Sequence, residues 1–132
     1  TLAEKTIVTD DIYQIRAIVS RWIAGQEVDA VLITGGTGVT GRDVSPEAVL
    51  PLLDKEIMGF GELFRQLSYE EIAASTIQSR AFAGHANGTF LFALPGSTGA
   101  CKLAWENILK HQLDSRTTPC NFVKLMPRLK EV

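Results

Sequence analysis

Two short stretches carry residues suited to holding an anion. The first reads Thr34-Gly35-Gly36-Thr37-Gly38-Val39-Thr40-Gly41-Arg42-Asp43-Val44-Ser45, and the second reads Pro95-Gly96-Ser97-Thr98-Gly99. Gly35, Gly36, Gly38 and Gly41 can take φ > 0 and leave no side chain between backbone and ligand. Successive backbone N–H groups can then converge on a phosphate. Thr34, Thr37 and Thr40 add hydroxyl donors. Pro95, Gly96 and Ser97 stand just before a helical pattern, whose N-terminus carries about half a positive charge. Each loop alone could be a tight strand-to-helix turn. Two at one sheet edge favour a phosphate site.

Two familiar phosphate motifs do not fit. Gly36-Thr37-Gly38-Val39-Thr40-Gly41 matches G-x-G-x-x-G, but the next helix cannot start before about Ser45, so the third glycine falls outside it. The same stretch fails as G-x-x-x-x-G-K-[ST], because Arg42 and Asp43 replace the Lys and the hydroxyl residue. Asp43 is either an anchor for Mg²⁺, held by a carboxylate and ligand phosphates, or a turn-stabilising Asp. Asp10 and Asp11 are expected at the same edge, with an N-cap of the following helix as the alternative role for either. Ser97 lacks a G-x-S-x-G context and is a poor nucleophile candidate. His85 and His111 are isolated; His111, near a helix end, suits the helix dipole.

The elements that position these loops follow from periodicity. Ala30–Thr34 is continuously apolar and β-branched, as in a strand buried on both faces. Thr89–Leu94 is a second strand, and Thr6-Ile7-Val8 a weaker one expected at the start of the sheet. Asn87-Gly88 signals a hairpin that pairs Arg80–Ala86 with Thr89–Leu94. Ile12, Ile15, Val19, Trp22 and Ile23 form a helical stripe ended by Gly25. Ser45-Pro46-Glu47 opens a helix, with Ser45 as its expected cap. A further helix is expected from about Gly61 to Ile72, and a last one carries Cys101, Ala104, Trp105, Ile108 and Leu109 on one stripe. Trp22 and Trp105 are therefore expected in the core. The order predicts a three-layer α/β fold: an open, mostly parallel sheet with helices on both faces and one antiparallel hairpin. Ligands of such sheets sit beyond the carboxyl ends of the strands, where both loops fall.

The 132 residues suit a single domain, and 45% hydrophobic with 21% charged residues makes it globular. A net charge of −2 argues against a nucleic-acid partner. Lys124, Arg128 and Lys130 read as a solvated tail. Cys101 and Cys120 are too few for a disulfide framework, and no stretch approaches a membrane span or a signal peptide, so a cytoplasmic location is expected.

Residues Thr34–Ala48, Gly59–Arg65 and Leu94–Ser97 resemble, in order, the MoaB/MogA family of molybdopterin-binding proteins of molybdenum-cofactor biosynthesis. Trp105–Ile108 and Arg116–Phe122 are similar to its B branch more than to its MogA branch. The resemblance covers nearly the whole chain, although family members usually open with a strand, a Ser/Asp-bearing loop and a helix that have no counterpart here. It implies a molybdopterin site at the loop edge and a homotrimer or hexamer. It also implies adenylylation of molybdopterin by Mg-ATP, giving adenylyl-molybdopterin and pyrophosphate, or binding of molybdopterin without turnover. The family's essential acidic positions map to Asp43 and Asp10, and its phosphate-anchoring hydroxyls to Thr37 and Ser68.

Overall fold

A computed structural model describes all residues, Thr1–Val132. Four strands form one sheet in the order β1-β4-β3-β2: β1 (Ala30–Thr34), β2 (Lys55–Glu56), β3 (Phe82–Ala86) and β4 (Thr89–Leu94). β4 pairs with β1 in parallel and with β3 antiparallel, and β3 pairs antiparallel with β2. The parallel character is thus confined to β1–β4. Thr6–Val8 adds no strand: residues 1–9 have no regular structure, and Ile7 is 94% exposed. Only Val8 of the three is even partly buried, which gains too little to offset the entropy of ordering a strand. The hairpin forms as expected, with Asn87 (φ 48°) and Gly88 (φ 85°) both in the left-handed region that its tight turn requires.

Alternation along β4 builds a core on each face. Phe90, Phe92 and Leu94 point to one side, against α3 (Met58–Ile72) and the helix that begins with α4 (Thr98–Ala104). Leu91 and Ala93 point to the other, beside Val31 and the residues of α1 (Ile12–Gly25) and α2 (Ser45–Val49). Helices therefore cover both faces, giving three layers. α4 passes through a π-helical turn, Trp105–Leu109, into α5 (Lys110–Gln112). The wide turn shifts the helical phase. Ile108 and Leu109 stay buried, but Trp105 is 45% exposed and not in the core as its spacing predicts. Trp22 does pack against the α1 side of the core, and its indole N–H donates to Glu4.

Lys124, Arg128 and Lys130 are solvent-exposed as expected, but the segment that carries them is docked. α6 (Phe122–Leu125) docks on the sheet, with the Phe122 ring 4.9 Å from that of Phe90. Asn121, almost fully buried, caps α6 by accepting from Lys124 N, and its amide donates to Ser115 O and Thr117 O. No helix is long and apolar enough to cross a membrane.

Candidate functional site

Because β1 and β4 are parallel neighbours in register Thr34↔Leu94, the loops that follow them leave the sheet side by side. Gly35 N donates to Leu94 O at 2.8 Å, and a Cβ placed on Gly96 would lie 3.4 Å from the Gly35 Cα. The two glycine loops thus touch backbone to backbone.

The first loop is tightly wound. Gly35 (φ 97°) and Gly36 (φ 73°) occupy the left-handed region. Gly38 and Gly41 do not adopt positive φ, so two of the four glycines expected to use that freedom do not. A Cβ on Gly36 would meet the Ser45 Oγ at 2.4 Å. Ser45 does not cap α2. The helix begins at Ser45 itself after Val44, and the Ser45 hydroxyl donates to Gly35 O at 2.8 Å while its N–H donates to Gly36 O. Ser45 therefore closes the turn that it was expected to leave. Thr37 is almost fully buried, whereas Thr34, Gly96 and Ser97 are exposed and Pro95 half-buried.

Asp43 folds back over this loop. Its Oδ2 accepts from the Thr40 hydroxyl at 2.7 Å and from the Thr40 N–H at 2.9 Å. Those two bonds hold its carboxyl below the usual carboxylate range, with further help from the Gly38 backbone and the Arg80 charge, against some desolvation. Asp43 is thus an ionised, turn-stabilising group, and both Thr40 bonds fall on one of its oxygens.

Asp10 and Asp11 divide the two roles open to them. Asp11 caps α1, accepting from Tyr13 N and Gln14 N at 2.9 Å. Asp10 reaches the glycine loop through Arg42, Nη2 to Oδ2 at 3.2 Å. Both partners are substantially exposed, so this pair contributes little to stability. Ser97 caps α4, accepting from Ala100 N at 3.2 Å. The Cys101 thiol, pushed up by burial, donates to Pro95 O and steadies the same loop from below. Ser68 lies apart, buried on α3, and forms no hydrogen bond to either loop. His111 Nε2 lies 3.1 Å from Glu106 O, near the end of its helix as expected.

Arg80 carries no motif and was not apparent from sequence. It precedes β3 and gathers the glycine loop from beneath. Its N–H donates to Thr37 O at 2.7 Å, Nε to Gly38 O at 2.7 Å and Nη2 to Asp43 O at 2.8 Å. Nη1 meets the Glu47 carboxylate at 2.7 and 3.1 Å. Its contacts are mostly backbone carbonyls some 40 residues away, which no local pattern announces. At the hairpin end of the sheet, a hollow of about 330 Å³ beside Gln26, Asn87 and Lys130 has no glycine loop on its rim.

Residues 1–115 match a family described as a probable molybdopterin binding domain. The chain is 60% identical over 130 residues to molybdenum cofactor biosynthesis protein B of Escherichia coli strain K12, covering 98% of this chain and 75% of that protein. It is 50% identical over 113 residues to the protein of the same name from Staphylococcus aureus strain Mu50, covering 85% and 67%. A crystal structure of a molybdenum cofactor biosynthesis protein B superposes with a TM-score of 0.80 at 46% identity, over 84% of this chain and 70% of that one. The tungsten cofactor synthesizing protein MoaB from Pyrococcus furiosus superposes at 0.72 with 41% identity, over 79% and 66%. The chain belongs to the molybdopterin-binding domain family of molybdenum cofactor biosynthesis.

Proposed function

We propose that this chain acts in molybdenum cofactor biosynthesis in the cytoplasm, binding molybdopterin at the joined glycine loops and adenylylating it with ATP. The observation that carries this reading is the contact between Gly35 and Gly96, which gives the loops after β1 and β4 one shared edge. The terminal phosphate of molybdopterin attacks the α-phosphorus of ATP. A new P–O–P bond forms, the α–β bond breaks, and pyrophosphate leaves. Such a transfer needs in-line positioning and charge neutralisation more than covalent help.

The residues fit these tasks. The backbone N–H groups of Gly36, Thr37, Gly96 and Ser97 carry no hydrogen bond within the protein and serve as phosphate donors, with Gly35, Gly38 and the hydroxyls of Thr34, Thr37 and Ser97 beside them. Ser68, on α3, is assigned through the family resemblance alone. Asp43 fits Mg²⁺, because it is ionised, lies at the surface and has acceptor capacity beyond the Thr40 bonds. Mg²⁺ commonly takes one or two carboxylates and completes its shell with phosphate and water. When bound it would neutralise phosphate charge. Asp10 orients substrate from the Arg42 side. Met58, Tyr69 and Ile72 share one exposed face of α3, which suits a homotrimer or hexamer.

A second reading, molybdopterin binding without turnover, is favoured by the engagement of Asp43 in its own turn. The two separate in one experiment. Asp43→Asn keeps an oxygen for the Thr40 N–H and loses the charge. Adenylyl transfer predicts that it lowers turnover at least tenfold while molybdopterin affinity changes less than threefold. Unchanged turnover removes Asp43 from the mechanism, and wild-type binding with no pyrophosphate release leaves only the carrier role.

A further inference from the structure

We infer that Arg80 is a positioning residue, which aims the amides of Val39 and Val44 at the ligand phosphate by pinning the carbonyls that precede them. This inference rests on the molybdopterin reading above and deepens it.

The argument is one of peptide geometry. In a trans peptide the C=O of one residue and the N–H of the next point in opposite directions. The chain's one cis peptide, Thr118–Pro119, lies elsewhere, so every peptide of this loop is trans. Arg80 takes Thr37 O through its own N–H, Gly38 O through Nε and Asp43 O through Nη2, all within 2.8 Å. The next N–H groups, on Gly38, Val39 and Val44, are thereby turned away from Arg80. Neither the Val39 nor the Val44 N–H enters a hydrogen bond within the protein, whereas the Gly38 amide serves the Asp43 carboxylate. Neighbouring amides in the same loop are occupied: Thr40 N–H goes to Asp43 and Ser45 N–H to Gly36. Other amides of the loop, on Gly36, Thr37, Gly41 and Arg42, are also free; Val39 and Val44 are the free ones whose direction Arg80 fixes.

The clasp requires a guanidinium. Nε and Nη2 lie on one edge of a rigid planar fork, and they span Gly38 O and Asp43 O, five residues apart. An ammonium offers a single nitrogen and cannot bridge both in that geometry. The positive charge itself is met by Glu47, so the role is one of shape and not of attraction to phosphate.

The test uses ¹⁵N-labelled full chain titrated with molybdopterin, for wild type, Arg80→Lys and Arg80→Gln, below each variant's melting temperature. The inference predicts that the wild-type Val39 and Val44 amide protons move downfield on binding. It predicts at least a tenfold rise in Kd for Arg80→Lys, and for Arg80→Gln, in the folded fraction. A merely structural role would lower the folded fraction and leave Kd unchanged. Wild-type affinity in either folded variant overturns the inference, as does wild-type binding that leaves the Val39 and Val44 amides unmoved. If Arg80→Lys does not fold, Arg80→Gln and the wild-type shifts decide. Failure of wild type to bind molybdopterin is a different result, and overturns the parent reading as well.

Discussion

At the scale of single residues, the loop separates glycines that are required from glycines that are incidental. Gly36 has φ 73°, and a Cβ there would overlap the Ser45 hydroxyl that holds Gly35 O. Gly36→Ala is expected to destabilise by about 1–3 kcal/mol through backbone strain and the displaced hydroxyl. Gly41 has ordinary φ and open space around its Cβ position, so Gly41→Ala should stay within about 0.5 kcal/mol of wild type. Urea denaturation of both variants checks the pair, and equal effects would contradict this view of the turn. Asp43 makes a second residue-scale prediction. Its folded pKa lies below the ordinary 3.8 because Thr40 donates to it twice. A depressed carboxylate adds stability above its unfolded pKa and loses it as pH falls through the folded value. The Asp43 carboxyl ¹³C resonance should therefore titrate below 3.8; a midpoint at or above 3.8 would contradict the turn geometry.

At the scale of elements, β4 holds the molecule together. It is wholly buried, and its odd and even positions supply both cores. Phe92, fully buried between Phe60 and Phe122, is the central contact. Phe92→Ala is expected to cost about 3–5 kcal/mol, measurable as a shift of the denaturation midpoint. A loss under 1 kcal/mol would mean that α6 is not docked as described. β4 was legible in the sequence because a continuous apolar run and an Asn-Gly turn leave little choice. β2 was not, since Lys55 and Glu56 are charged, exposed and paired over only two residues. The π-helical turn at Trp105 was equally hidden, because the stripe Cys101–Leu109 fits an uninterrupted helix just as well.

At the scale of the whole molecule, the sequence located the edge where the two glycine loops meet but not the framework beneath it. The two glycine loops could be placed together once both were read as following parallel strands, and β1–β4 pairing does bring them into contact. Thr6–Val8 reads as a strand but forms none, because three β-branched residues carry strand propensity whether or not an edge pairs with them. Arg80 was invisible because its partners are carbonyls, present at every residue and distinguishable only in the fold. The central claim concerns what that edge does with a phosphate. The most direct measurement is ³¹P NMR of molybdopterin mixed with Mg-ATP and stoichiometric protein. The account predicts loss of the molybdopterin monoester signal, with a P–O–P product and free pyrophosphate rising in equal amounts. A monoester signal that neither shifts nor diminishes at any protein concentration would contradict it.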